Sequence, residues 1–91
     1  MMEFEWDEAK ASANAKKHGV SFQEAATIFR DPLAITFMDP DHSGRERRWL
    51  TFGLSRLNRL LVVVHADRGR KTRIISARAM TKHERTIYEE G

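Results

Sequence analysis

The stretch LLVVVH, from Leu60 to His65, constrains this chain more than any other. Its apolar residues are consecutive rather than alternating, so a strand made from it is buried on both faces. Such a strand belongs at the centre of a sheet, and the segments around it read as its neighbours. Arg48 to Leu54 (RWLTFGL) alternates, with Leu50 and Phe52 on one face and Trp49 and Thr51 on the other. Leu33 to Met38 (LAITFM) reads as an earlier strand, closed by the turn Asp39-Pro40-Asp41. After the central strand, Asp67-Arg68-Gly69-Arg70 turns the chain and Thr72 to Ala77 (TRIISA) returns.

The N-terminal third has a different period. Phe4-Glu5-Trp6 is a brief strand-prone opening, and Asp7 can cap a helix from Glu8 to His18 that Gly19 stops in a left-handed conformation. Ser21-Phe22-Gln23-Glu24 is a capping box, the serine accepting from a helical N–H and the glutamate reaching back. Phe22, Ala25, Ala26 and Phe29 make one apolar helical face, which Asp31-Pro32 ends. A second capping box, Thr81 to Glu84, opens a final helix that runs to Glu90. The expected fold is α+β: a short N-terminal strand, two helices, an antiparallel sheet meander and a C-terminal helix, with one layer of helices on one sheet. With no repeat, low-complexity tract or linker, residues 1–91 read as a single domain.

Charge is distributed unevenly along this framework. Between His42 and Arg85 twelve Lys and Arg face three acids, a balance of +9; the remainder carries four against ten, a balance of −6, which together give the net +3. The basic half is nearly all arginine, which favours bidentate phosphate or carboxylate contacts. A dipolar small domain of this kind points to an acidic partner, nucleic acid or protein. The chain has no cysteine, which excludes disulfides and thiolate metal sites. The longest apolar run, Leu60 to Val64, is far short of the roughly 20 residues of a membrane span. The acidic start MMEFEWDEAK lacks a signal peptide's basic head. The expectation is a soluble cytoplasmic protein with no membrane partner.

Several blocks resemble the BrnT family of toxins from bacterial type II toxin–antitoxin modules. They are FEWDEAKASANAKKHGVSFQEAATIFRDP, DHSGRERRWLTFGLS and RLLVVVHADRGRKTRIISARAMTKHERTIYEE, which together span Phe4 to Glu90. The resemblance implies a ribonuclease that arrests translation, on a fold like that of the RelE and ParE toxins. It also implies neutralisation by a cognate BrnA-like antitoxin, a heterotetramer built on an antitoxin dimer, and contact with operator DNA only through that antitoxin. The family's marked polar positions fall on Asn14, Lys17, His18, Glu46, Arg48 and Arg78. Two departures stand out: Asn58 occupies a turn position where the family often has glycine, and Arg47 one where an acid is frequent. Asparagine tolerates positive φ, so the turn survives.

The residues support the chemistry independently. Metal-free RNA cleavage needs a base for the 2′-hydroxyl, cations for the phosphorane-like transition state and an acid for the leaving oxygen. Positioned acid–base groups each contribute about 10²–10⁴-fold, and charge stabilisation is usually the larger share. Glu46 or one of His18, His42, His65 and His83 can move protons; Arg48, Arg73 and Arg78 can clamp a phosphate. His18 and Lys17 also suit a helix C-terminus without any catalytic role. The cluster Arg68, Arg70, Lys71 and Arg73 can track a phosphate backbone from a hairpin tip, with Lys17, Lys82 and Arg85 as further contacts. No cofactor is expected, and His65-Ala66-Asp67 without a second cluster is too little for a metal.

Strand parity places Arg78 with Ile74 and Ser76, and Arg48 with Leu50 and Phe52. In an up-down-up meander Arg48, His65 and Arg73 come near one another, whereas Arg78 falls towards the opposite end. Trp6 reads as an anchor for the first helix; Trp49 is free to cover helices or meet a partner. Two other functions share these features: a non-catalytic nucleic-acid- or protein-binding module, and a toxin of the same fold acting on DNA gyrase.

Overall fold

A computed structural model describes residues 2–40 and 46–91, which form five strands and three α-helices. β1 (Glu3–Glu5), α1 (Glu8–His18) and α2 (Phe22–Ala26) come first, and α2 runs on as a 3-10 helix, Thr27–Arg30. Then follow β2 (Ile35–Met38), β3 (Arg48–Leu54), β4 (Leu60–Arg68), β5 (Lys71–Ala79) and α3 (Lys82–Glu90). The class is α+β, as the sequence suggests, and no described helix is long and apolar enough to cross a membrane.

The sheet order is β1-β5-β4-β3-β2. β4 lies at its centre because Leu61, Val62 and Val63 have apolar partners on both sides, and all three are fully buried. β2 to β5 pair antiparallel with their sequence neighbours, but β1 adds alongside β5 in parallel, so the sheet is mixed rather than wholly antiparallel. The β4–β5 hairpin turns on Gly69-Arg70, with positive φ at the glycine alone, the pattern of a type II′ turn. Asn58 takes φ 62° in the β3–β4 turn, the conformation its side chain tolerates.

Helices cover both faces, in contrast to the single layer expected. On one, Val20, Phe22, Ala25 and Ile28 pack on Leu61, Val63, Ile74 and Ala77. Gly53 admits that layer: a Cβ there would sit 3.0 Å from the Ile28 Cβ. On the other, Met80, Ile87 and Tyr88 pack on Phe52 and Val62. α3 reaches this second face because both its ends are tied down. Its capping box at Thr81 and Glu84 is complete, and the Tyr88 hydroxyl donates to Asp31 at 2.6 Å.

The other capping box is only half made. Ser21 Oγ accepts from the Glu24 N–H, but the Glu24 carboxylate turns into the protein to Arg59 and the Ser55 hydroxyl. Arg59 also donates to the Gly19 carbonyl. This network fixes the β3–β4 turn beneath α2, and sequence reasoning assigned Glu24 only to capping.

β1 pairs with no more of β5 than Lys71–Arg73, which leaves the rest of that strand's edge open. Asn14 of α1 plugs it, donating to the Ala77 carbonyl at 2.9 Å and accepting from the Ala77 N–H at 3.0 Å. Its amide thus acts as a one-residue strand, sufficient reason for an asparagine there.

Candidate active site

The register sorts the charged residues by face. Arg48 pairs with Ala66, Ala66 with Arg73, and Arg73 with Glu5, so these four form one row across β3, β4, β5 and β1. Residues in one row point the same way, which sets Arg48, Arg73 and Glu5 on the α3 face at the end that α3 leaves uncovered. Arg68 and Lys71 continue this face by one further pair. Ala66, between the two arginines, is fully buried.

Two of the cations here have a carboxylate. Arg73 donates to Glu5 at 2.9 Å and Arg68 to Glu46 at 2.6 Å. The Arg68 hydrogen bond holds the Glu46 carboxyl below its ordinary range, aided by the charges of Arg68, Arg48 and Arg73. Arg48 differs: its Nε is buried and has no hydrogen-bond partner among the described residues. A buried, unsatisfied guanidinium nitrogen is costly.

Arg78 shares this face, contrary to its expected parity with Ile74. A β-bulge intervenes: Val64 pairs with Ser76 but His65 with Ile74, so Ile75 is the extra residue. The bulge turns Ile74 to the helix-packed side while Ser76 and Arg78 join Arg73. Arg78 lies in the row of Val62, four residues from that of Ala66, or about 13 Å along the sheet. It forms a bidentate pair with Glu84 at 2.7 and 2.9 Å, and this pair holds the Glu84 carboxyl at about 2.

His65 does not join them. It faces the helices, with Nε2 bound to the Thr51 hydroxyl at 2.7 Å and the Phe29 ring at its edge. Burial pushes its pKa down to about 4. The expected grouping of Arg48, His65 and Arg73 thus reduces to the two arginines, because consecutive strand residues face opposite ways. Trp49 lies beside His65 on the helix side, and Trp6 packs edge-on against Phe22.

The remaining candidates are at the periphery. Arg70 and Lys71 are exposed at the hairpin tip, and Lys82, His83 and Arg85 on α3. Lys17 and His18 line a small cavity against Ile75 and Ser76, beside Asn14 on the β5 edge that β1 does not reach. His42 lies outside the described residues. Among those described, no three His, Cys, Asp or Glu side chains come together as a metal site. A larger cavity of about 810 Å³ lies by the 3-10 helix, with Phe4, Phe29 and Leu54 in its wall and no arginine of the row. Glu5 is the residue that sequence reasoning missed; its only signal was the strand-prone tripeptide around it, which gives no register.

The family model for the ribonuclease toxin BrnT of type II toxin–antitoxin systems matches residues 6–84. The chain belongs to the BrnT family. The fold of this BrnT-family chain is similar to the crystal structure of the Brucella abortus ribonuclease toxin BrnT, with a TM-score of 0.65 and 21% identity. That match covers 90% of this chain and all of the Brucella one. No curated protein matches. Membership makes this a toxin of a ribonuclease family with a cognate antitoxin as its partner.

Proposed function

We propose that the chain is a metal-free endoribonuclease that cuts messenger RNA in the cytoplasm and so arrests translation. The observation that carries this reading is the pair Arg48 and Arg73 on either side of Ala66, with a buried Arg48 nitrogen that has no partner among the described residues. Two guanidiniums at that spacing can receive a phosphodiester and stabilise the charge that builds on it as it becomes pentacoordinate. Such cations supply the electrostatic role a metal would otherwise fill.

In this reading the RNA 2′-oxygen attacks the adjacent phosphorus as Glu46 takes its proton. The bond to the 5′-oxygen breaks, leaving a 2′,3′-cyclic phosphate, and the departing oxygen takes a proton from water on the open side. The low proton affinity of free Glu46 is not an obstacle. A bound phosphodiester competes for Arg68 and brings negative charge beside the carboxylate, and both effects raise its pKa. Glu5 holds Arg73 in place, and Arg78, about 13 Å along the sheet, serves a phosphate further along the strand once Glu84 yields it. The cognate antitoxin neutralises the toxin by covering this face, and carries the complex to operator DNA.

The test is incubation of the purified protein with RNA in EDTA, beside Arg48→Ala and Arg73→Ala. Wild type should produce 2′,3′-cyclic ends and both variants should not. Intact RNA with folded wild-type protein would overturn the reading.

A further inference from the structure

The arginine face and the cations of α1 are on different elements, yet they meet at one place. Ser76 lies on the arginine face, in the row of Val64 and between Arg73 and Arg78. It also lines a cavity of about 230 Å³ with Lys10, Lys17, His18 and Ile75. That place is the stretch of β5 edge that β1 does not reach, where the bulge at Ile75 lies.

The placement follows from the sequence. Lys10, Asn14 and Lys17 are spaced i, i+4 and i+7, so they share one flank of α1. Asn14 is bonded to Ala77, which lays that flank along β5 and projects one lysine to either side. Lys10, Lys17 and His18 are exposed, and among the described residues none has a carboxylate within ion-pair distance. The charge of Lys10 does bear on the cap residue Asp7, as does that of Arg73, so the arginine row and this flank lie within electrostatic reach of each other.

We infer that this edge is a second phosphate subsite, through which a single RNA strand crosses from α1 onto the arginine face. The strand's backbone lies against Lys10, Lys17 and His18, passes Ser76 at the bulge, and brings the next phosphates to Arg73 and Arg48. The cavity is open and shallow, which suits a flexible single strand and not a rigid duplex. This inference rests on the ribonuclease reading for its substrate, but not for its contacts.

The test is binding of a short 2′-O-methyl oligoribonucleotide, which has no nucleophile and stays intact, measured across a salt series. Each single-strand phosphate contact adds about 0.7 to the slope of log affinity against log salt. Lys10→Ala/Lys17→Ala should therefore lower the slope by about 1.4 and weaken binding roughly tenfold at moderate salt. Lys16→Ala, on the same helix but outside the cavity, should bind as wild type does. A double variant with wild-type affinity and slope would overturn the subsite, even if wild type cuts RNA. A wild type that binds with this dependence but leaves ordinary RNA intact would overturn the ribonuclease reading and sustain the subsite.

Discussion

The two faces of the sheet hold similar polar side chains and treat them in opposite ways. On the helix-packed side, Glu24 is 5% exposed and is met by Arg59 and Ser55. His65 there is bound through Nε2 to Thr51, which in turn contacts the Thr36 hydroxyl, while its Nδ1 is buried with no partner among the described residues. On the α3 side, the carboxylates that hold Arg68, Arg73 and Arg78 are only partly buried, none sealed as Glu24 is, and among the described residues Arg48 Nε has no hydrogen-bond partner. The closed face uses charge to fix a turn. The open face keeps its guanidiniums in place yet exchangeable, which is what a phosphate site requires. An arginine's role thus depends less on its pairing than on whether a ligand can replace the partner.

The largest expected effect tests that contrast directly. Arg48→Ala should lower RNA cleavage by about 10²–10³-fold, the usual loss for one preorganised donor to a developing anion. The same variant should melt within a few degrees of wild type, since it removes an unsatisfied buried nitrogen. A large fall in melting temperature would place Arg48 with the structural arginines instead.

The closed face should respond to acid. His65 has its pKa lowered by burial from 6.5 to about 4, so the unfolded chain takes up the proton first. Its effect is absent above about pH 6.5 and grows as pH falls, costing about 2 kcal/mol by pH 5 and about 3 kcal/mol below pH 4. Glu84, held at about 2 by Arg78, adds its own loss only below its ordinary 4.5. Denaturant unfolding from pH 7.5 to 5 should therefore show a decline that His65→Gln flattens. An equal decline in both would assign it to other groups.

Which parts of this were legible in sequence follows from the range of the signals. The span of β3, the caps at Asp7 and Thr81, the stop at Gly19 and the positive φ at Asn58 depend on residues within one turn, and all are found. The parallel pairing of β1, which brings Glu5 to Arg73, depends on a partner 68 positions away. The bulge at Ile75 has no turn residue to announce it, and one extra residue reversed the expected parity of Arg78 relative to Ile74. Arg48 and Arg73 could be named from type and position; that they flank one alanine could not. His65 was misgrouped for the same reason, because an end of a sheet is legible where a face is not.

A smaller effect probes the closed face's ion pair. Arg59→Ala leaves Glu24 with only the Ser55 hydroxyl, at a cost of about 2 kcal/mol once the exposure of Arg59 is allowed for. It should shift the denaturation midpoint while leaving the rate at saturating RNA within about twofold, the converse of Arg48→Ala. Loss of both stability and rate would show that the two faces are coupled through β4.

The smallest effect concerns Asn58, in the turn that the same network holds. At φ 62° alanine is strained, so Asn58→Ala should cost about 1 kcal/mol. Glycine adopts that angle freely but has more freedom in the unfolded chain, and the two effects oppose each other. Asn58→Gly should therefore lie within about 0.5 kcal/mol of wild type. Neither variant touches the arginine row, so both should cut RNA as wild type does. If Asn58→Gly were as damaging as alanine, the asparagine side chain and not its backbone angle would be holding the turn.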